Sequence, residues 1–261
     1  MTYEEFLKRL AQCKTGSAEE QAYATSVLKP YRVKNAVLMA AGYGSRLAPL
    51  TNRVPKGLLQ IRGEILVERQ IRQLLEAGIE EIFLVVGHLK EQFSYLASNP
   101  QIHIIENPDY THYNNISSLY RVLDILDNTY ICSADNYFTE NVFTPYVYRS
   151  YYAAVYGEKP TEEYYLTVDE NDRITDVQIG GTCGYYMLGQ AYFSHTFSIR
   201  FQELLKEAYN TDLSVRELLW EQFYMRHISK LPLYRKCYPS GIIYEFDTVE
   251  DIRAFDFTFI C

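Results

Sequence analysis

The sequence predicts an α/β fold built on a doubly wound, mixed but mainly parallel sheet, with a short helical N-terminal extension. Three observations carry that prediction. Short apolar runs alternate with segments of helical periodicity between residues 35 and 133. The first of those runs opens into a glycine-containing turn. Apolar residues make up 48% of the 261 positions, enough for the core of a single α/β domain. Strands separated by helices pair in parallel, and a parallel sheet is covered on both faces.

The elements follow in order. Thr2 with Glu5 and Ser17 with Glu20 each match a capping box, so short helices start there, near 3–12 and 18–28, with Pro30 after the second. Residues 1–33 are therefore expected to form a helical hairpin packed on the main domain, or a small regulatory or partner-binding appendage, and 34–261 the main domain. Residues 36–40 are all apolar and end at glycines, a buried strand. Residues 64–77 carry Leu66, Ile71, Leu74 and Leu75 at helical spacing and stop at Gly78. A strand at 82–86, a short helix at 90–96, a strand at 103–106, a helix at 116–126 and a strand at 130–133 complete the alternation. Beyond Asn136 the pattern turns more antiparallel, with strands at 151–155, 164–168, 174–179 and 183–188. Helices near 197–209 and 215–226, strands near 230–236 and 242–246, and a helix from Val249 close the chain.

Bulk properties exclude several classes. A net charge of -8 without a basic cluster disfavours nucleic acid and anionic membrane surfaces as partners. No apolar run reaches membrane-spanning length, so a cytoplasmic location is expected. The cysteines (Cys13, Cys132, Cys183, Cys237 and Cys261) are odd in number, scattered, and without a Cys-x-x-Cys pair. That fits a reducing compartment and neither a disulfide framework nor a zinc site.

The most informative segment is Leu38-Met39-Ala40-Ala41-Gly42-Tyr43-Gly44-Ser45-Arg46-Leu47, followed by Pro49-Leu50-Thr51 and Pro55-Lys56. Small residues let backbone N–H groups approach a phosphate or base that a Cβ would hold off. Arg46 adds a forked cation and Lys56 a second positive charge. A dinucleotide fingerprint needs glycine where Leu47 stands, and a P-loop needs Gly-Lys-Ser/Thr at the loop end. A tight turn with surface charges is the remaining alternative for a bare Gly-x-Gly.

The whole string resembles the signature of the nucleotidyltransferases that act on sugar 1-phosphates and phosphocholine. The resemblance implies that the loop wraps the base and phosphates of a nucleoside triphosphate, through Ala40, Ala41, Gly42, Gly44 and Ser45, and that Arg46 and Lys56 are catalytic. Four further segments narrow it to the bacterial CTP:phosphocholine cytidylyltransferases: 86–93 with Gly87, 113–120 with Asn115 and Ser117, 134–137, and 243–247. Gly87, Asn115 and Ser117 are then candidate nucleotide contacts, although Asn114 or Asn115 also suits a helix cap. The resemblance spans roughly 35–256 and implies a Rossmann-like nucleotidyltransferase domain joining CTP to phosphocholine, with CDP-choline and pyrophosphate as products.

Asp135 and Asp247 each end a predicted strand, where open α/β sheets place ligands. Two such carboxylates suit Mg²⁺, which prefers carboxylates and substrate phosphates. Taken alone, Asp135 reads as a turn residue and Asp247 as an N-cap before Val249; the resemblance turns both into metal ligands. For a quaternary ammonium the candidates are Tyr164 and Trp220 as aromatic faces, with Glu217 and Glu245 as counter-charges. Tyr164 and Leu219 stand where the family tends to have tryptophan and tyrosine. This keeps 2-aminoethylphosphonate, phosphoethanolamine or a sugar 1-phosphate as alternative acceptors. A non-catalytic nucleotide-sensing module would be expected to lack the lysine or the aspartates, and all three are present.

Overall fold

The computed structural model describes residues 1–259; Cys261 lies outside them. The chain opens with helices α1 (Tyr3–Thr15) and α2 (Ala18–Leu28), and both capping boxes are formed, Thr2 with Glu5 and Ser17 with Glu20. Phe6 of α1 is buried against Tyr31 and Tyr148, with ring centroids 5.3 Å away in each case. These aromatic contacts dock the hairpin on the rest of the chain.

The strands are β1 (Asn35–Ala40), β2 (Gln60–Ile61), β3 (Glu64–Ile65), β4 (Glu81–Val86), β5 (Ile102–Glu106), β6 (Thr129–Ser133), β7 (Asn136–Phe138), β8 (Tyr151–Gly157), β9 (Thr161–Val168), β10 (Ile174–Gly181), β11 (Gly184–Phe193), β12 (Tyr234–Tyr238) and β13 (Ile243–Glu245). The remaining helices are α3 (Leu66–Glu76), α4 (Ile116–Arg121), α5 (His195–Thr211), α6 (Trp220–Arg226) and α7 (Val249–Phe255).

Nine strands share one sheet. Its parallel half runs β5-β4-β1-β6, with Leu38 facing Leu84 on one side and Cys132 on the other. Antiparallel β11 continues it, paired to β6 and then to β8 and β9. Alternation along β1 explains the two layers. Ala36 and Leu38 point into a core shared with Val67, Ile71 and Leu74 of α3, while Val37 points into one shared with α4, α5 and α6. Strand order reverses at β1, whose neighbours are β4 and β6, so the crevice beyond their carboxyl ends is the topological switch point. No helix among the described residues is long and apolar enough to cross a membrane.

Several expected elements differ. The helix expected at 116–126 ends at Arg121 and continues as the 3-10 turn Leu123–Ile125. The one expected at 215–226 divides into the 3-10 turn Leu213–Glu217 and α6. The second break leaves a carbonyl for packing across elements: the backbone N–H of Asn114 donates to the carbonyl of Arg216. The hairpin β2–β3 and strand β7 were not expected, and residues 64–65 belong to β3 instead of α3.

Candidate active site

A cavity of about 660 Å³ opens at the switch point, lined along its floor by Met39 and Ala40 from β1 and by Ser133, Ala134 and Asp135 at the end of β6. The loop after β1 supplies Ala41, Gly42, Gly44, Ser45 and Arg46. Its shape is fixed by its own contacts. Gly44 has φ of +62°, and a Cβ there would lie 3.0 Å from the Thr51 methyl, so position 44 admits glycine on both counts. The Thr51 hydroxyl donates to the Gly44 carbonyl at 2.9 Å, and the His88 backbone N–H donates to Ala41 at 3.0 Å. Leu47, where a dinucleotide fingerprint would need glycine, is fully buried in a third core cluster.

A three-residue ribbon assembles the charged end. Strand β13 pairs antiparallel with β7, setting Glu245 opposite Asn136. Asp135 just before β7 therefore faces the segment just after β13, where Asp247 lies. Ligand oxygens of Asp135, Glu245 and Asp247 all fall within 4.8 Å of one another. Lys56 reaches into the same group: its Nζ lies 2.7 Å from Asp135 Oδ2 and 2.8 Å from Asp247 Oδ1. Arg46 meets the same Asp247 oxygen at 2.8 Å from an exposed position. Burial alone would lower the Lys56 pKa, but Asp135 and Asp247 outweigh it and hold the ammonium charged. Burial, with Asp135 and Asp247 close by, pushes the Glu245 carboxyl well above the usual range.

The residues fit a divalent cation. Their donors are hard oxygens, and Asp135 Oδ1 is buried with no hydrogen-bond partner. The alternative for Asp247 as the cap of α7 does not hold, because Thr248 is the N-cap, in a capping box with Asp251. Glu245, expected as an acceptor counter-charge, belongs instead to this acidic group.

A further part of the wall is built from Tyr152, Glu221 and Asn115, with Tyr164 and Glu163 lining the same cavity. The Tyr152 hydroxyl donates to Glu221 Oε1 at 3.1 Å. Asn115 accepts the backbone N–H of Trp220 at 2.7 Å, which points its amide at Glu221 Oε2, 3.5 Å away. Burial pushes the Glu221 carboxyl up to about 7, against the opposing effect of its hydrogen bonds. The Glu163 carboxyl is raised by burial and by Asp247.

Four expected site residues do not line the cavity. Trp220 is core: its ring stacks on Tyr152 at 5.4 Å and 7°, so it backs the wall without reaching the space in front. Glu217 is exposed, with its carbonyl accepting from the Asn114 amide at 2.6 Å. Ser117 is buried; its hydroxyl donates to the Asn114 carbonyl and accepts from Asn107, leaving Ser118 on the cavity side. Gly87 lies behind the loop, where a Cβ would come within 2.7 Å of the Ala41 carbonyl and the Tyr110 ring. Neither Asn114 nor Asn115 caps α4 through its side chain; both tie it to the α6 region. Tyr152, Glu163 and Glu221 escaped sequence reasoning. Glu221's one sequence signal is its place beside Trp220.

A glycine loop, a buried lysine and a carboxylate group that fits a cation meet at the switch point of an α/β sheet, and the fold is that of a nucleotidyltransferase. Residues 36–173 match the model of the MobA-like NTP transferase domain. The chain is 34% identical over 221 residues to the choline-phosphate cytidylyltransferase of Streptococcus pneumoniae, covering 85% of this chain and 96% of that one. It is 36% identical over 230 residues to the 2-aminoethylphosphonate cytidylyltransferase of Lancefieldella rimae, covering 87% and 93%. The solved CTP:phosphocholine cytidylyltransferase of S. pneumoniae superposes with a TM-score of 0.81 over 85% of this chain and 97% of that one. The chain belongs to the MobA-like NTP transferase family.

Proposed function

We propose that this enzyme transfers CMP from CTP to phosphocholine, giving CDP-choline and pyrophosphate. The observation that carries the acceptor half is Glu221, a buried carboxyl held by Tyr152 and Asn115 in a cavity that Tyr164 also lines. A quaternary ammonium has no N–H to donate, so aromatic faces and a nearby carboxylate are what recognise it. The triphosphate half rests on the loop, Arg46 and Lys56. Mg²⁺ held by Asp135, Asp247 and Glu245 would offset the charge of the phosphates. Six carboxyl groups line the cavity with only Arg46 and Lys56 to balance them, which supports that requirement.

The reaction is a displacement at phosphorus. A phosphocholine phosphate oxygen attacks the α-phosphorus of CTP in line, a new P–O bond forms, and the bond to the bridging oxygen breaks with pyrophosphate leaving. The acceptor phosphate is already an anionic nucleophile, so no covalent enzyme intermediate is needed. The chain's contribution is positioning and charge: the loop amides and Arg46 orient the phosphates, and Lys56 neutralises charge developing on the leaving group. The reading places the enzyme in the cytoplasm with its nucleotide, and its substrates are small molecules.

A second reading, 2-aminoethylphosphonate as acceptor, is favoured by a specific observation. Glu221 and the amide oxygen of Asn115 sit among hydrogen-bonding groups that an N–H donor can use and a quaternary ammonium cannot. A pyrophosphate-release screen tests both. CTP, UTP, ATP and GTP are each offered with phosphocholine, phosphoethanolamine, 2-aminoethylphosphonate and sugar 1-phosphates. The highest kcat/KM is expected for CTP with phosphocholine. A higher value for 2-aminoethylphosphonate moves the assignment to the second reading, and a sugar 1-phosphate in first place refutes both.

A further inference from the structure

A second cleft, of about 560 Å³, is walled by Tyr31, Tyr148, Arg149, Asn171, Arg173 and Tyr234, none of which lines the catalytic cavity. Four separate stretches of chain meet there: the end of the helical hairpin, the approach to β8, the β9–β10 turn and the first residue of β12. Backbone hydrogen bonds fasten them to each other. The N–H of Val147 donates to Tyr31, that of Tyr234 to Ser150, and that of Ile174 to Leu233, at 3.0, 3.1 and 2.9 Å.

The charges of this cleft are unusual. Arg149 and Arg173 are both half-buried, yet neither guanidinium has a carboxylate within ion-pair distance among the described residues. The one carboxylate in the lining, Asp169, spends Oδ1 on the backbone N–H groups of Asn171 and Arg173 in its own turn. Arg149 is already placed: its guanidinium lies over the Tyr234 ring at 3.9 Å, which leaves the planar N–H edges open. Tyr31 and Tyr148 stack at 5.7 Å and 14°, a preformed aromatic wall. Forked donors beside aromatic faces are the combination that takes a phosphate with one hand and a flat ring with the other.

We propose that this cleft is a second ligand site, for a phosphate monoester carried on a planar ring, of the nucleoside monophosphate class. Arg149 and Arg173 take the phosphate, the tyrosines take the ring, and Asn171 offers donor and acceptor to its edge. The cleft is within the size range of small-molecule sites. It also adjoins the start of β8, the strand that carries Tyr152 into the catalytic cavity.

Titration calorimetry of the full chain with AMP tests this. Wild type is expected to show an AMP site that the double variant Arg149→Gln with Arg173→Gln loses, while pyrophosphate release from CTP stays within about twofold. The single variants Arg149→Lys and Arg173→Lys keep charge without the fork and should each weaken AMP about tenfold; they also serve if the double variant does not fold. Ribose 5-phosphate and adenosine each keep half of the ligand and should each bind at least tenfold more weakly than AMP. An AMP stoichiometry unchanged in the arginine variants, or no AMP site outside the catalytic cavity, overturns the proposal. Ribose 5-phosphate binding as tightly as AMP overturns the aromatic half, and adenosine doing so overturns the phosphate half.

Discussion

Lys56 carries two ion pairs at once, and both of its partners belong to the acidic group of Asp135, Glu245 and Asp247. Its ammonium is the less exposed of the two positive charges on Asp247 Oδ1. Lys56→Ala should lower kcat by roughly two to three orders of magnitude, the scale of one lost transition-state contact. A fall of less than about threefold, about 0.65 kcal/mol, takes Lys56 out of the mechanism. Glu221 gives a pH-dependent counterpart. Its folded-state pKa of about 7 lies above the ordinary value of 4.5, so folding favours the protonated carboxyl. The stability it contributes is whole below pH 4.5 and is lost as pH rises toward 7. Glu221→Gln should therefore be more stable than wild type at pH 8, by about 3 kcal/mol for a shift of this size, with the gap closing toward pH 4. Denaturant titrations at pH 4, 6 and 8 measure that gap, and a gap that does not change with pH contradicts the assignment. In activity the sign reverses. A cationic acceptor needs the carboxylate, so the wild-type KM for phosphocholine should fall as pH rises through about 7, while that of the glutamine variant stays flat and high. Tyr164, lining the same cavity, is a half-buried aromatic face; Tyr164→Ala should raise KM for phosphocholine about tenfold or more and leave KM for CTP unchanged.

At the scale of elements, the loop after β1 matters because its backbone is its binding surface. Gly44→Ala puts a Cβ into the left-handed region, costing about 1–2 kcal/mol, and against the Thr51 methyl at 3.0 Å. The expected result is a lower melting temperature together with a raised KM for CTP; an unaltered KM would mean that the loop does not shape the nucleotide site. This loop was legible in the sequence because glycine, serine and arginine at fixed offsets are a local signal. So were both capping boxes and the buried strands of the parallel half, whose apolar runs come from burial on both faces. The β7–β13 ribbon was not. Strands of three residues have too little alternation to register, and the ribbon joins positions more than a hundred residues apart. Asp135 and Asp247 could be nominated one by one, yet their meeting, and the arrival of Glu245 with them, depended on a pairing invisible locally. Trp220 misled for a related reason: a lone tryptophan on an apolar helix face goes to the core, and the residue it supports, Tyr152, lies on a strand 68 positions earlier.

Across the whole molecule the net charge of -8 is concentrated in function as well as in number, because six carboxyl groups converge on a single cavity that is to receive a triphosphate. Lys56 and Arg46 pair with Asp135 and Asp247, and the carboxyls of Glu245 and Glu163 are raised by burial first and by repulsion from the neighbouring carboxylates second. A divalent cation bound among Asp135, Glu245 and Asp247 relieves that repulsion in the folded state alone, since unfolding scatters the three carboxylates along the chain. Mg²⁺ should therefore stabilise the free enzyme by mass action, and at about 100 times its dissociation constant the gain is about 2.7 kcal/mol. For a chain of this size that corresponds to a rise in melting temperature of roughly 5 °C or more. Calorimetric melts of the enzyme in EDTA and in rising Mg²⁺ measure the effect without any turnover. Asp135→Asn and Asp247→Asn should each abolish the Mg²⁺-dependent rise and turnover together. Each should melt in EDTA close to the wild-type temperature, because relief of carboxylate repulsion and loss of the ion pair to Lys56 oppose each other. A variant that keeps the Mg²⁺-dependent rise while losing turnover would separate that aspartate from metal binding. Equal melts with and without Mg²⁺ in wild type would mean that the cation enters only with the nucleotide, through its phosphates, and that the three carboxylates do not form a site by themselves.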